Sequence, residues 1–451
     1  MKRFFKRGTL AGLFAGLAFG ATVTTQAADK GVIKVGILHS LSGTMAISEA
    51  TLKDEMLMLI KQQNAKGGLL GKKIVPVVVD PASNWPLFAE KARELIQKDH
   101  VKAIFGCWTS VSRKSVLPVV EQYHVPLFYP VQWEGQESSK YVFYTGAEPN
   151  QQAIPAVNYL MNQLHVKRWV LLGTDYVYPR TTNKILKHYL KSKGVKSGDI
   201  MVNYTPFGYS DWQSIVSKVK KFGSEGKKTA IVSTINGDAN VPFYKELANQ
   251  GLTSDQIPVV AFSVGEQELS GIDTRPLVGD LAAWNYFESV DTAANDKFID
   301  AWHKYIGDDK RVTNDPMEAH YIGDDKRVTN DPMEAHYIGF NMWVKAVQKA
   351  GTADPAKVVP DMVGVSVPNL SGGYATMMPN HAITKPVLIG EIQRDGQFSV
   401  VWRTSGEVPG DMWSDYIPSS RNLISDWRAP LSCGNYNVKT GKCAGETKSK
   451  E

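Results

Sequence analysis

A serine and a tyrosine pose the question of what chemistry this chain can do. Ser110 stands in the turn Trp108-Thr109-Ser110, between an apolar run ending at Phe105 and an amphipathic stretch, and Tyr129 closes the next apolar run. Read as strand 101–105, helix, and strand 125–129, the segment is a parallel crossover of ordinary length. In open parallel sheets ligands sit outside the carboxyl ends of the strands, so both residues are expected at one crevice. A hydroxyl beside the unpaired N–H groups of a helix start suits a polar solute. A plainer reading stays open, with Ser110 as a helix cap and Tyr129 as a core residue. The helix is read with Arg113, Lys114 and Glu121 outward and Val116, Leu117, Val119 and Val120 inward.

Other chemistries leave no mark. Cys107 has no partnering histidine in view and reads as a buried small residue. No GxGxxG follows a strand, and no Walker-type phosphate loop is present. Neither a nucleophile elbow nor a cluster with metal-ligand spacing is visible, so no cofactor and no metal are expected. An exported amidohydrolase, the rival enzyme class, therefore gains no support. The formal charge is +6, of which Lys2, Arg3, Lys6 and Arg7 supply four, leaving +2 without them. With no basic tract elsewhere, nucleic acid is not an expected partner.

Residues 1–27 read as a secretory signal: basic over 1–7, apolar and small over 10–21, with Thr25-Gln26-Ala27 as a small-x-small cleavage site. The apolar run is too short for a strong anchor, and no later segment reaches spanning length, so stable membrane insertion is not expected. The mature chain is expected in the periplasm. There Cys433 and Cys443, which close the polar loop CGNYNVKTGKC, are expected to form a disulfide. Two free surface thiols remain the alternative.

The elements that must position Ser110 and Tyr129 alternate along the chain. Strands are predicted at 33–39 and 74–79, with helices at 47–65 and 86–98. A second series follows: helix 153–164, strand 168–172, helix 183–193, strand 200–204, helix 211–222, and strands 230–234 and 259–262. The pattern argues two doubly wound α/β lobes. Residues 384–401 read as a hairpin turning at Asp395-Gly396. One oddity is the sixteen-residue segment 305–320, YIGDDKRVTNDPMEAH, repeated without mismatch as 321–336. It is too similar for a diverged repeat and too few for a solenoid. The first copy continues a helix over 294–305 and the second runs into a helix over 332–350. The extra copy is expected to bulge as a surface insertion, where added length costs little.

Four strings together carry a family resemblance: GCWTSVSRKSVLPVVEQYHVPLFYPVQWEG at 106–135, GTDYVYPR at 173–180, ITKPVLIGEI at 383–392 and VPGDMWSDYIP at 408–418. They resemble the urea-binding receptors of bacterial urea ABC transporters. More broadly, the chain is similar to the type I periplasmic binding proteins, which include branched-chain amino-acid receptors and cytoplasmic short-amide sensors. The resemblance runs from about Lys34 to Cys443, outside the duplicated segment. It implies two α/β lobes joined by three hinge crossovers, near 146–149, 283–288 and 374–385. The first lobe would comprise 28–147 with 286–375, the second 148–285 with 376–410, and 411–451 would be a C-terminal extension. It also implies a non-enzymatic receptor for nitrogen uptake, which captures urea or a similar small amide and delivers it to membrane permease subunits. Short aliphatic amides and branched-chain amino acids are the runner-up ligands, and the leader argues against a cytosolic sensor.

Carried onto this sequence, the pocket of the resembled family falls on Trp108, Ser110, Tyr129, Pro130, Gln132, Asp175, Tyr176, Tyr178, Asn236 and Asp238. Ser40, Ser42, Thr44 and Trp85 are further candidates that turn formation and edge packing explain as well. Urea is neutral and planar, with one acceptor and four N–H donors, so a dry pocket must satisfy several hydrogen bonds together. Tyr129 and Tyr176 could sandwich it while Ser110 and Asp238 accept its N–H groups. No basic residue stands among these candidates, which mildly favours an amide over an amino acid, although helix N–H groups could also hold a carboxylate.

Overall fold

Short apolar runs bounded by turns become strands buried on both faces, as parallel sheets require. The computed structural model of the chain describes residues 31–307, 327–418, 420–425, 436–437 and 442–443. Strands β1 (Ile33–Leu38), β2 (Ile74–Val79), β3 (Ile104–Gly106), β4 (Leu127–Tyr129) and β5 (Val142–Tyr144) form one parallel sheet in the order β2-β1-β3-β4-β5. Helices α1 (Ala46–Ala65), α2 (Trp85–Gln97) and α3 (Ser110–Tyr123) make its crossovers. β4 starts two residues later than the sequence suggested, because Pro126 has no N–H to give to the ladder. β5, only three residues long, was not legible in the pattern.

The second sheet contains β6 (Arg168–Thr174), β7 (Ile200–Thr205), β8 (Thr229–Thr234), β9 (Val259–Ala261) and β10 (Leu281–Trp284), all parallel. After a small ribbon of β11 (Ser366–Pro368) and β12 (Tyr374–Thr376), the hairpin β13 (Leu388–Ile392) and β14 (Phe398–Arg403) adds antiparallel to β10. Gly396, at φ +82°, makes its turn. The resulting order is β14-β13-β10-β9-β8-β6-β7. Helix α4 (Ala153–Asn162) leads into this sheet, and α5 (Val177–Ser192) follows β6. α5 begins six residues before the predicted start at 183, since Pro179 is tolerated in a first turn. Tyr178 is thereby a helical residue.

Two doubly wound α/β lobes result, and the chain passes between their sheets three times. The three passages are sewn together by side-chain amides. Asn285 Nδ2, on the second, donates to the Gln151 carbonyl on the first (3.0 Å) and to the Pro386 carbonyl on the third (2.6 Å). Gln151 Nε2 donates in turn to the carbonyls of Ile383 and Val408. A buried backbone oxygen without a donor is costly, so these amides make the hinge a specified joint.

The described part of the second repeat copy is built into the first lobe. Asn330 caps the helix Asp331–Ala350 by accepting from Met333 N, and Gly351 ends it at φ +65°. Arg327 pairs with Asp54 at 2.8 Å, and its carbonyl accepts from Trp302 Nε1 at 2.9 Å. The helix Ala293–Ile306 takes in the first two residues of the other copy. The surface-insertion reading concerns 308–326, which lie outside the described residues, as do the leader at 1–27 and Cys433 with its expected disulfide to Cys443.

Candidate functional site

The sheet orders dictate where a site can form. Winding reverses between β1 and β3 in one sheet and between β6 and β8 in the other, and such switch points open crevices at the strand ends. Here the two crevices face each other. Trp108 Nε1, in the turn after β3, donates to Asn236 Oδ1, in the turn after β8, at 3.4 Å. Gly237 lies against Thr44 so closely that a Cβ would come within 2.6 Å of the Thr44 carbonyl oxygen. Gln132 Nε2 donates to Ser263 Oγ, and Ser48 Oγ to Glu268 Oε1, both at 2.6 Å and both between lobes.

Trp108, Ser110, Tyr129, Pro130, Gln132, Tyr176, Tyr178 and Asn236 are all buried around this junction. Tyr176 and Tyr178 cluster with Val111 and Phe207. Trp85 joins from the first lobe through Phe207, with ring centroids 5.2 Å apart, and Phe207 lies 4.9 Å from Tyr176. Ser110 is not the cap of α3. Thr109 takes that role, its hydroxyl accepting from Ser112 N at 3.1 Å, which leaves Ser110 free to donate to Glu134 Oε2 at 2.5 Å. Tyr129 gives its hydroxyl proton to the Trp108 carbonyl, and the Arg113 guanidinium covers its ring at 4.6 Å. One face of the expected sandwich is therefore already taken.

Several candidates do other work. Asp175 is exposed and paired with Arg180 at 2.5 Å. Ser42 donates to Asp80 Oδ2 (2.8 Å) and Ser40 Oγ accepts from Ser83 N (3.0 Å), so both lock the turn after β1 to the loop after β2. The Asp238 side chain is exposed, while its N–H donates to the Thr44 carbonyl at 3.3 Å.

The largest correction concerns charge. Arg113 and Lys114, expected outward, are buried at 0% and 1% exposure. Arg113 donates from Nε to Glu137 Oε1 (2.9 Å), from Nη1 to Ser110 Oγ (3.1 Å) and from Nη2 to Glu134 Oε1 (3.2 Å). Lys114 Nζ reaches Glu137 Oε2 at 2.5 Å and lies 3.7 Å from Glu134 Oε1. Trp133 also lies under the guanidinium, at 4.7 Å, and the Tyr144 hydroxyl donates to Glu137 Oε1 at 2.8 Å. Burial alone would raise the Glu137 carboxyl, but Arg113 and Lys114 outweigh it and hold the group well below its ordinary range. Glu134 and Glu137 follow the strand end that carries Tyr129, while Arg113 and Lys114 stand three and four residues from Ser110, on its face of the helix. That spacing was the available signal. Charged residues are seldom fully buried unless paired, so without the partners in view the outward reading prevailed.

Two buried polar atoms at the junction lack a hydrogen bond of good geometry, the Tyr178 hydroxyl and Gln132 Oε1, although Tyr178 lies beside both Gln132 and Ser263. Such atoms are costly to leave unpaired and are natural contacts for a guest. Among the described residues no group of three or more His, Cys, Asp or Glu side chains could hold a metal ion, and no helix is long and apolar enough to cross a membrane.

Comparison with known proteins agrees with this architecture. The family profile described as a periplasmic binding protein domain matches residues 33–325 and 322–419, its two segments meeting inside the duplicated stretch. The Leu/Ile/Val-binding protein homolog 3 of Brucella melitensis is 26% identical over 219 residues, 47% of this chain and 58% of its own length. An amino acid binding protein of Pseudomonas aeruginosa is 22% identical over 256 residues, 56% of this chain and 66% of that relative. The chain thus spans about three fifths of the length of these curated relatives. Among solved structures, an ABC transporter solute binding protein from Rhodopseudomonas palustris, in complex with 3,4-dihydroxybenzoic acid, superposes with TM-score 0.69 at 19% identity, covering 84% of this chain and 98% of that one. The branched-chain amino acid transporter substrate binding protein LivJ of Streptococcus pneumoniae, in complex with isoleucine, gives TM-score 0.66 at 18% identity, covering 84% and 99%. Sheet order, paired switch points and profile lead to one conclusion: the chain belongs to the periplasmic binding protein family, with the type I two-lobed fold.

Proposed function

We propose that the mature chain is a periplasmic solute-binding protein that captures urea between its lobes and delivers it to the membrane permease of an ABC importer. The observation that carries the reading is the buried polar group that spans the lobes, Gln132 Oε1 and the Tyr178 hydroxyl, which lie close together without a hydrogen bond of good geometry between them. Urea serves both, giving an N–H to the first and its carbonyl oxygen to the second. Ser110, Tyr176, Trp108 and Asn236 complete the lining, with Tyr129 and Pro130 behind them. Family membership supports the receptor role, and the basic, apolar leader supports export. The three-stranded hinge supports closure around the solute.

A second reading follows from the relatives, which are named for amino acids or hold isoleucine or an aromatic acid. Such ligands bring a carboxylate that a free cation or helix N–H groups must hold, and the cleft's Arg113 and Lys114 are both engaged by Glu134 and Glu137. Urea is therefore preferred. Four heavy atoms at about −1.5 kcal/mol each give about −6 kcal/mol, a dissociation constant in the tens of micromolar. Calorimetric titration of refolded mature protein with urea, acetamide and leucine tests the reading. One site per chain for urea is expected, and heat with leucine alone would move the function to amino-acid uptake.

A further inference from the structure

We propose that Glu134 sets the chemical class of the ligand: its carboxylate accepts N–H groups of an uncharged amide and turns away carboxylate ligands. The inference rests on the receptor reading above and extends it to a residue outside the family-derived candidates. Glu134 is fully buried at the lobe junction. Its Oε2 holds the Ser110 hydroxyl at 2.5 Å, two residues from Trp108, which bonds Asn236 of the other lobe, so the carboxylate stands beside the turn that meets the second lobe.

The carboxylate has acceptor capacity left. Oε2 takes the Ser110 hydroxyl and Oε1 one Arg113 N–H, with Lys114 further off at 3.7 Å. A carboxylate offers about four lone-pair sites, so roughly two remain for a guest's N–H groups. The Ser110 bond also orients it. Arg113, by contrast, is already paired: two glutamates and a serine take three of its five N–H donors, and the Tyr129 and Trp133 rings lie against the guanidinium. An incoming carboxylate would thus meet an anion whose neighbouring cations are already paired with glutamates, whereas an amide N–H gains a charge-assisted bond. Glu137 shares the ion network and pairs with Arg113, Lys114 and the Tyr144 hydroxyl, all of its own lobe.

The test titrates wild type, Glu134→Gln, Glu134→Asp and Glu137→Gln with urea, acetamide, leucine and 4-hydroxybenzoate, and records unliganded melts. Wild type is expected to bind urea and to give no heat with 4-hydroxybenzoate. Both Glu134 variants are expected to lose at least tenfold in urea affinity, Glu134→Asp while keeping the charge that pairs with Arg113, and Glu137→Gln to stay within threefold of wild type. Urea affinity unchanged in both Glu134 variants would overturn the inference, and so would equal losses in Glu134→Gln and Glu137→Gln, which mark a structural network. A wild type that ignores urea but binds leucine or the benzoate would instead sink the functional reading itself.

Discussion

Replacing Lys385 by methionine isolates what one buried charge does for the hinge. The ammonium is fully buried, donates to the Thr145 carbonyl at 3.1 Å, and stands 3.8 Å from both Asp331 Oδ2 and Glu334 Oε2. Thr145 lies on the first crossover, Lys385 on the third, and the two carboxyls open the helix Asp331–Ala350. Methionine keeps much of the volume, so the loss is electrostatic. Removing one partner of a buried ion pair costs ~3–5 kcal/mol, and the orphaned carbonyl lies within that figure. For a folding unit of this size, about 4 kcal/mol lowers the melting temperature by roughly 8–16 °C. The deficit must also depend on pH. Burial raises Glu334 to about 8 and lifts Asp331 above its ordinary range, while Lys385 pulls both down. A carboxyl raised in the fold lends stability that is whole below its unfolded pKa near 4.5 and is lost as pH climbs through the folded value. Without Lys385 both carboxyls rise further, folding takes up more protons, and the variant falls further behind wild type as pH increases. Guanidinium chloride and thermal unfolding of both proteins at pH 5, 7 and 8.5, without ligand, read this directly; urea is avoided as the proposed ligand. Melts within 2 °C of each other at every pH, or a deficit that narrows with rising pH, would refute the reasoning.

Three further outcomes are expected. Excising 305–320 yields the same product as excising 321–336, and it leaves every described contact of Arg327, Thr329, Asn330 and Asp331 in place. Three residues would then join Gly307 to the arginine, a reach of about 13 Å, and the melt and urea affinity should match those of the parent; a drop beyond 5 °C would mean the extra copy carries structure. His336 shares its Nε2 with His39 Nε2 at 2.8 Å, while His39 Nδ1 faces Glu49 at 3.2 Å, and burial first and His39 second hold His336 well below the usual histidine range. Unfolded histidine titrates near 6.5, so this site loses stability as pH falls below about 6.5; His336→Gln should show a smaller fall in melting temperature between pH 7 and 5 than wild type, and an equal fall would exclude the site. Burial pushes the Cys107 thiol up, so it should resist alkylation in the native state. Non-reducing denaturation should then expose one labelled thiol per chain by mass spectrometry if Cys433 and Cys443 pair, and three would disprove that bond.

The legible parts of the chain were those whose signal is local. Hydrophobic runs closed by turns located β1, β2 and β6 to β8 within a few residues, and the Asp395-Gly396 turn announced the hairpin. Trp108, Ser110, Gln132, Tyr176, Tyr178 and Asn236 could be placed at strand ends because a parallel sheet delivers its connecting turns to one edge. Misplaced residues had local patterns that two causes share. Asp175 and Ser42 look like ligand groups and serve an ion pair and a turn. Arg113 and Lys114 look like a solvated helix face, since their glutamate partners are 20 to 24 residues away and become neighbours only when α3 packs against the loop after β4.

By itself, then, the amino-acid sequence determined the alternation of strand and helix, the two-lobed α/β class and the strand-end turns that come to lie at the lobe junction. Each of these follows from periodicity and turn chemistry within a few residues. Only the tertiary structure decided which side chains face one another across the junction. Trp108 meets Asn236 across 128 positions of chain, Gln132 meets Ser263 across 131, and Lys385 reaches Thr145 across 240. Burial and partnership of charge depend on such distant contacts, so the hinge ammonium and the Glu134 network could take their meaning only from the folded chain.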